Sequence, residues 1–338
     1  MQLYNQLSAE ERRVLIAQAG TERLTLSFYQ YYQIKNPQIF RDHLFLNWNE
    51  MDVLGRIYVA HEGINAQLSV PAPRFEDFKN FLDSISFLIG VRLNIAIEQD
   101  NESFLTLKVK VREKIVADGL DDNTFDVTQK GIHLNAEDFN TLLAEPDTVC
   151  VDMRNHYESE IGHFKGAVTP DVDTFRESLP LIEEDLSQHK EDKKLLMYCT
   201  GGIRCEKASA YFKHKGFKNV FQLEGGIIEY ARQVNEKGLE NQFIGKNFVF
   251  DERRGERISA HVIARCHQCG APCDTHINCA NEACHLLFIQ CEACQAKTQS
   301  CCSDSCQEAV GLPVAEQKSC VKAHTTATKY LKKAVLKS

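Results

Sequence analysis

The sequence predicts a multidomain α/β protein, and three observations support that fold class. The 338 residues are enough for two or three domains, each with a hydrophobic core of its own. Strand-like apolar runs alternate with helical patterns over most of the chain. Ten of the fourteen cysteines lie between Cys266 and Cys306, which predicts a separate cysteine-rich region towards the C-terminus.

The composition is that of an ordinary soluble protein, with 43% hydrophobic and 25% charged residues. The net charge of −8 gives no overall sign of nucleic-acid binding. The N-terminus is polar and does not resemble a signal peptide, and no apolar run approaches the roughly 18 residues of a membrane-spanning helix. We therefore expect a cytoplasmic protein without a membrane partner. The composition predicts nothing about its oligomeric state.

Residues 1–118 are predicted to form a ferredoxin-like α+β domain with an N-terminal helix, for which Ser8 is the expected N-cap. The order of the patterns is β-α-β-β-α-β, which is the split βαβ arrangement, and one more strand follows. In chain order, the predicted strands and helices are 24–34, 37–49, 53–61, 65–70, 73–87, 91–98 and 104–111. This scaffold is common and indicates little about function.

The last predicted strand of this domain carries a basic stripe, with a cation at every second position: Lys108, Lys110, Arg112 and Lys114. The four side chains share one face if residues 104–116 are one extended segment. One interpretation is a solvated edge strand that lysines protect from pairing. The other is a phosphate-binding stripe for nucleic acid. An aromatic cluster at 28–32 could stack bases, although such residues more often belong to a core.

Residues 119–240 are predicted to form an α/β domain with a parallel sheet, after an acidic linker at 118–130. The predicted strands are 149–153, 195–198 and 220–223, and the predicted helices are 181–188 and 227–236. Cys199 directly follows the second of these strands, at the edge of the sheet where ligands usually bind. It is our candidate for a catalytic nucleophile.

The segment after Cys199 is predicted to form a tight loop, with a helix beginning near Cys205. The predicted active-site loop contains Thr200, Gly201, Gly202, Ile203, Arg204 and Cys205. Backbone N–H groups converge in such a loop and stabilise an anion. The positive end of the helix and the nearby Arg204 should lower the pKa of the Cys199 thiol.

Residues 241–312 are predicted to bind metal through four successive cysteine pairs, since no secretion signal favours disulfides. In a cross-brace, the first pair joins the third: Cys266, Cys269, Cys291 and Cys294. The second pair joins the fourth: Cys279, Cys284, Cys302 (or Cys301) and Cys306. Four thiolates suit structural zinc, although an iron–sulfur cluster also uses four. Residues 313–338 are a basic tail, which either is solvated or contacts phosphates.

The middle domain resembles a rhodanese through four motifs in order, Asp152–Arg154, Gly162–Ala167, Cys199–Cys205 and Leu223–Gly226. Arg204 lies five positions after Cys199, whereas protein tyrosine phosphatases place their arginine six positions after the nucleophile. The shorter loop has a size that suits a sulfur atom rather than a phosphate group. Rhodaneses commonly have Ser or Thr where this chain has Cys205. A second thiol there could resolve a Cys199 persulfide or sulfenate as a disulfide. It could equally fill the place of a hydroxyl.

The three regions together, with the motif His61–Asn65 in the first, resemble the prokaryotic rhodanese-domain tRNA uridine hydroxylases over nearly the whole chain. Members convert the wobble uridine to 5-hydroxyuridine. The resemblance implies tRNA as a partner, with molecular oxygen and an unknown reductant as co-substrates. A thiolate added at C6 of the pyrimidine would make C5 electron-rich enough to react with molecular oxygen. The alternative function is a sulfurtransferase that carries a Cys199 persulfide to an RNA or protein acceptor.

Overall fold

The computed structural model describes residues 7–121, 124–313 and 316–317. The chain divides into two compact units. The first unit contains the described residues up to His156, together with Lys165–Gln242 and Val249–Glu256. The second unit contains Tyr157–Phe164, Phe243–Phe248 and the described residues from Arg257 onward. Nearly all of the predicted basic tail lies outside the described residues.

The first unit begins with helix α1 (Ala9–Ala19), which confirms Ser8 as the N-cap. The Ser8 hydroxyl accepts from the backbone N–H of Glu11, and the Glu11 carboxylate accepts from the Ser8 N–H. This reciprocal pair satisfies two backbone donors that the start of a helix leaves unpaired.

A five-stranded sheet follows, in the order β4-β1-β3-β2-β5. Its elements are β1 (Arg23–Tyr31), α2 (Pro37–Glu50), β2 (Leu54–Ala60), β3 (Gly63–Pro71), α3 (Phe75–Asp83), β4 (Asn94–Ile95) and β5 (Leu107–Val111). The pairs β1–β3, β2–β3 and β1–β4 are antiparallel, as in a ferredoxin-like fold, and β5 extends the sheet in parallel beside β2. The order of strands and helices agrees with the predicted order.

The core of this sheet lies on its helical face, where α2 and α3 cover alternate strand residues. Leu26 and Phe28 of β1 pack there with Trp48 of α2 and Phe78 of α3. Since successive strand residues point to opposite sides, Tyr29 belongs to the other face of the sheet. On that face, the Tyr29 hydroxyl donates to Glu206, a residue of the helix that follows Cys199.

Three predicted boundaries in this region are wrong. Strand 91–98 shrinks to β4, and helix 73–87 splits into a 3-10 turn (Ala72–Arg74) and α3. The predicted extended segment 104–116 also ends early, because β5 stops at Val111. The neighbouring strand β2 ends at Ala60, and the Arg112 N–H makes the last ladder bond, to the Val59 carbonyl. Among the described residues, no strand pairs with 113–116.

The rest of the first unit is an α/β arrangement around a four-stranded parallel sheet, in the order β6-β10-β9-β7. From β6 to α8 the elements are β6 (Ile132–Leu134), α4 (Ala136–Leu143), β7 (Thr148–Asp152), α5 (His156–Ser159), β8 (Gly162–Phe164), α6 (Phe175–Asp185), β9 (Lys194–Tyr198), α7 (Ile203–His214), β10 (Asn219–Leu223) and α8 (Gly226–Lys237). Among these, β8 and most of α5 belong to the second unit. The parallel sheet of the predicted fold class is present.

Helix α6 begins six residues before its predicted start at 181, which corrects the prediction 181–188. The Glu177 carboxylate accepts from the Thr174 backbone N–H and so anchors the helix at this earlier position. A short 3-10 turn (Ser187–His189) follows the helix.

The second unit contains small strands and short helices around its cysteines. The remaining elements of the chain are β11 (Phe243–Asn247), β12 (Glu256–Arg257), β13 (His276–Asn278), β14 (Leu287–Ile289), α9 (Glu292–Thr298) and α10 (Asp304–Ala309). The first residue of β12, Glu256, belongs to the first unit. Strand β11 pairs antiparallel with β8, and β13 pairs antiparallel with β14. Among the residues that the structure describes, none of the helices is long and apolar enough to cross a membrane.

Candidate active site and metal centres

Cys199 lies directly after β9 and has no exposed surface. Its Sγ accepts a hydrogen bond from the Gly202 N–H at 3.2 Å. Helix α7 begins at Ile203, slightly earlier than predicted, so Arg204 and Cys205 lie in its first turn rather than in the loop. This position brings the unpaired backbone donors of the helix start to the sulfur.

The motif Leu223–Gly226 and the residue after it pack against the backbone of the catalytic loop. The Cys199 carbonyl accepts from the Ile227 N–H at 3.0 Å. A Cβ added at Gly226 would lie 2.5 Å from the carbonyl oxygens of both Cys199 and Thr200, and Gly226 has a φ of +67°. Only glycine therefore allows this close approach.

The electrostatics of the loop separate its two cysteines. Burial by itself raises the pKa of Cys199, but hydrogen bonds from Cys205 and the charge of Arg204 outweigh it and lower the pKa to about 6. Burial, the hydrogen bond to Cys199 and the charge of Cys199 all raise the pKa of Cys205 well above its ordinary value. Near neutral pH, Cys199 is therefore a thiolate and Cys205 is the thiol that donates to it.

The motif Asp152–Arg154 has a structural role. Both side chains are fully buried, and the Arg154 guanidinium donates to Asp152 through Nε at 2.9 Å and through Nη2 at 2.6 Å. The same guanidinium lies 5.7 Å from the ring centre of Tyr198, the last residue of β9. The pair therefore connects the end of β7 to the end of β9, where Tyr198 directly precedes Cys199.

Sequence reasoning missed Glu206, which joins the catalytic helix to the ferredoxin-like sheet. Its carboxylate accepts from Tyr29 Oη at 3.0 Å, contacts His133 Nε2 at 3.0 Å and pairs with Lys130 at 2.7 Å. Burial by itself raises the pKa of Glu206, but the hydrogen bonds from His133 and Lys130 lower it to about 2. The carboxylate is therefore charged at any physiological pH.

A cavity of about 210 Å³ lies beside this cluster. Tyr29, Tyr31 and His133 contribute to its wall, and it borders the catalytic loop at Gly202 and the motif Leu223–Gly226 at Gly225. The cavity thus has aromatic surface, polar side chains and an edge on the loop. Only the aromatic cluster at 28–32 gave a sequence signal for it.

A second missed contact explains part of the motif His61–Asn65. Lys207 of α7 is buried, and its ammonium lies 2.6 Å from the Glu62 carboxylate and 3.6 Å from that of Asp118. Glu62 also accepts from the Ile115 N–H at 2.8 Å. The hairpin between β2 and β3 is thereby tied to the catalytic helix, and Asp118 of the predicted linker is part of the packed interior.

The structure divides the predicted basic stripe. Lys108, Lys110 and Arg112 are exposed at the edge of the sheet, on or next to β5. Lys114 turns inward instead, and its ammonium donates to Asp118 at 2.8 Å and to the Leu120 carbonyl at 2.6 Å. The four cations therefore do not share one face, because the chain leaves the sheet between Arg112 and Lys114.

The second unit brings eight cysteines into two groups of four. One group contains Cys266, Cys269, Cys291 and Cys294, and the other contains Cys279, Cys284, Cys302 and Cys306. Within each group the sulfurs lie within 4.8 Å of one another. The fourth pair uses Cys302, whereas Cys301 is buried and directs its thiol to the Gln299 carbonyl.

The sulfur separations fit a single tetrahedral metal ion. Sulfurs 3.6 Å apart in the first group (Cys269 and Cys291) and 3.7 Å apart in the second (Cys284 and Cys302) are close to the edge of about 3.8 Å expected for Zn–S bonds of about 2.3 Å. A cluster of several irons would hold its cysteines farther apart. Each group can therefore hold one ion.

Three family models match successive parts of the chain. The chain matches a UPF0176 acylphosphatase-like domain at 23–115, a rhodanese-like domain at 135–233 and a rhodanase C-terminal domain at 244–307. Two solved structures match at low similarity. A thiosulfate sulfurtransferase from Pseudomonas aeruginosa is 18% identical, with a TM-score of 0.27, over 40% of this chain and 24% of its own. RPA3614 from Rhodopseudomonas palustris, titled a possible tyrosine phosphatase, is 27% identical, with a TM-score of 0.27, over 32% and 82%. At these TM-scores the structural matches carry no argument about function.

Sequence relatives are much closer. A protein of Yersinia pestis (strain Pestoides F), named tRNA uridine(34) hydroxylase, is 56% identical over 94% of this chain and 89% of its own length. A protein of Yersinia enterocolitica with the same name is also 56% identical, over 94% of this chain and 91% of its own length. The three matched domains follow the order of the two regions and the cysteine groups described above. The chain therefore belongs to the tRNA uridine(34) hydroxylase family.

Proposed function

We propose that this protein hydroxylates the wobble uridine of tRNA at C5, with molecular oxygen and a reductant as co-substrates. The observation that carries the proposal is the buried Cys199 at the start of the loop between β9 and α7, where its Sγ accepts the Gly202 N–H, in a chain 56% identical to proteins named tRNA uridine(34) hydroxylase. Because the proposed substrate is tRNA, we also propose that the protein acts in the cytoplasm.

In this mechanism Cys199 is the nucleophile. Its thiolate adds to C6 of the uracil ring, and the negative charge that results is shared between C5 and the O4 carbonyl. The electron-rich C5 then reacts with molecular oxygen. The loop N–H groups and Arg204 hold the sulfur as an anion before the addition and accept it again when it leaves.

The base must enter the protein to reach this sulfur, because Cys199 has no exposed surface. Enzymes that modify a base commonly extrude it from its stack into a pocket. The cavity at Tyr29 and Tyr31 offers aromatic surface and polar groups beside the loop. A shift of the loop or of the side chains against it would then expose Cys199 to the ring.

Mass spectrometry of tRNA nucleosides tests the proposal. Purified protein with unmodified tRNA, oxygen and a thiol reductant should form 5-hydroxyuridine, and Cys199→Ser should form none. Cys150→Ser is the matched control, because Cys150 is also a buried thiol but lies within β7. Normal hydroxylation by Cys199→Ser would exclude the nucleophilic role, and a wild type without product would exclude the function.

The second candidate function is sulfur transfer, which the rhodanese-type loop favours. In that case Cys199 would carry a persulfide, and the reaction would leave thiolated nucleosides or a thiolated protein. A wild type that forms no 5-hydroxyuridine but transfers sulfur from thiosulfate to tRNA would select this function.

We also propose that Lys108, Lys110 and Arg112 contact tRNA phosphates. They are exposed, and in the sheet Lys108 pairs with Arg56 and Lys110 with Tyr58. Replacing both Lys108 and Lys110 by Gln should weaken tRNA binding and reduce the slope of log Kd against log salt by up to about two. Lys114→Gln is the contrasting variant, because its ammonium is engaged internally. An unchanged salt slope would contradict the proposal and favour the interpretation in which these cations protect an edge strand from pairing.

For the cysteine groups we propose two structural zinc ions. The donor set is four thiols in each group, which suits a closed tetrahedral site without a position for substrate. Bound zinc would fix the short strands and helices of the second unit.

A further inference from the structure

We propose that Cys205 is a second catalytic thiol, which together with Cys199 supplies the two electrons of the hydroxylation and ends each cycle in a Cys199–Cys205 disulfide. This inference rests on the proposed function and deepens it, since it identifies the immediate reductant. Rhodanese-type chemistry by itself does not require a thiol at this position.

The contact between the two thiols carries the inference. Cys199 and Cys205 are both fully buried and belong to one packed cluster, with Cys205 in the first turn of the helix that follows the loop. Hydrogen bonding from Cys205 is also among the causes that lower the pKa of Cys199. The third cysteine of the first unit, Cys150, lies within β7 and pairs with Leu196 rather than with the loop. Cys205 is thus the thiol in place when Cys199 is oxidised, and an external thiol would first have to enter the site.

The electron count requires such a donor. Oxygen accepts four electrons when one of its atoms becomes the C5 hydroxyl and the other becomes water. The uridine supplies two of these electrons, as its C5–H bond becomes a C5–O bond. Two thiols that form a disulfide supply the other two. Uridine, oxygen and two thiols therefore give 5-hydroxyuridine, water and one disulfide, with every atom balanced.

The steps use groups already in contact. After oxygen has added at C5 and Cys199 has left C6 with loss of the C5 proton, the base carries a hydroperoxide. The Cys199 thiolate attacks the outer oxygen, the O–O bond breaks, and the base oxygen takes up a proton. Cys199 is then a sulfenic acid. The Cys205 sulfur attacks it, the S–O bond breaks, and the hydroxyl leaves as water with the Cys205 proton.

A dithiol reductant of the cell would then reduce the disulfide and restore both thiols by exchange. The residue type at this position agrees with a redox role. A serine could donate a hydrogen bond to the Cys199 thiolate as a cysteine does, so the hydrogen bond does not require sulfur. Sulfur adds the capacity to form a disulfide.

The test is a single-turnover experiment with full-length protein. Reduced wild type, freed of reductant and given unmodified tRNA and oxygen, should form about one 5-hydroxyuridine per chain and stop. Peptide mass spectrometry without reduction should then find Cys199 linked to Cys205. Added dithiothreitol should restart turnover.

The variant Cys205→Ser keeps a hydrogen-bond donor but removes the second thiol. It should form no loop disulfide, leave Cys199 as a sulfenic acid that dimedone labels, and lose at least about tenfold in multiple turnover. Cys150→Ser should behave as wild type in all three measurements. Turnover of Cys205→Ser at the wild-type rate would overturn the inference.

The wild type tests the inference without any variant. If it forms 5-hydroxyuridine while both loop cysteines stay free for alkylation, the electrons come from elsewhere and Cys205 is not the donor. If it forms no 5-hydroxyuridine under any reductant, the proposed function fails first, and the inference fails with it.

Discussion

The cysteines of the catalytic loop and those of the second unit differ in what balances their charge. At the loop, one thiolate is surrounded by donors of the protein itself: backbone N–H groups, the Cys205 thiol and Arg204. In the second unit, four sulfurs converge in each group at separations that suit a shared ion. The same side chain is therefore arranged as a stabilised thiolate in one region and as one of four groups that could hold an ion in the other.

This difference shows how surroundings decide the chemistry of a thiol. A thiolate that only hydrogen bonds and a guanidinium stabilise keeps a lone pair for attack on a substrate. Thiolates that a closed metal site holds share their electrons with the ion and leave no open position. Three experiments test this contrast.

The largest effect is expected from the loss of a metal ligand. Wild type should carry two zinc ions, Cys302→Ser should carry one, and Cys301→Ser should keep both, because Cys301 lies outside the group. Structural zinc sites have apparent binding free energies of about 10–16 kcal/mol, so the part around Cys302 should unfold without its ion. Native mass spectrometry and limited proteolysis measure the two results.

A metal-free wild type that resists the protease would contradict the structural role of the ions. Equal metal content in the two variants would contradict the assignment of Cys302 over Cys301.

The next effect concerns Lys207, which shows the first unit balancing buried charge with ion pairs instead of metal. Lys207→Met would leave the Glu62 carboxylate without its cation, and breaking a buried pair typically costs about 3–5 kcal/mol. Chemical denaturation of the purified variant measures the loss of unfolding free energy.

Lys215→Met is the control for that experiment, since it ends the same helix but pairs with Glu183 at the surface. Exposed pairs are worth about 0–1 kcal/mol. Similar losses in the two variants would mean that the buried pair has no special weight.

The smallest effect is expected from Arg204→Met, read as a pH profile. The reactive form of Cys199 is deprotonated, so the wild-type rate should rise as the pH increases through about 6 and then level off. Without the guanidinium the pKa of Cys199 should rise towards its ordinary value of about 8.5, and the rate at pH 7 should fall about tenfold. The rate should recover as the pH approaches 9.

Arg204→Lys keeps a positive charge and should keep most of the low pKa. A loss in Arg204→Met that is equal at every pH would show that the arginine acts on the substrate rather than on the thiol.

Much of this architecture was predictable because its signals are local. Ser8 and Glu11 form their capping box within one turn, and β9 with its loop and α7 occupies one continuous stretch. The wrong boundaries arose where a partner decides the outcome. β5 ends at Val111 because β2 has ended, and no pattern in residues 104–116 records that.

The residues around the catalytic helix were harder to predict. Glu206 contacts Tyr29 of β1, which is 177 positions away in the chain. Lys207 pairs with Glu62, which lies in the hairpin between β2 and β3. Both looked like ordinary polar residues of a helix. Their burial depends on two sheets that come together only in the folded unit.

From the sequence alone, spacing predicted Cys199 directly after a strand, Arg204 near it in the chain and the grouping of the cysteine pairs, because spacing along a short segment limits which groups can meet. The tertiary structure alone decided that Lys114 leaves the basic stripe, that Cys302 rather than Cys301 joins the second metal group, and that Glu206 and Lys207 tie the catalytic helix to the first sheet. Glu206, Lys207 and Cys302 depend on partners distant in sequence, and Lys114 depends on where β5 loses its neighbouring strand. Local spacing records neither of these causes.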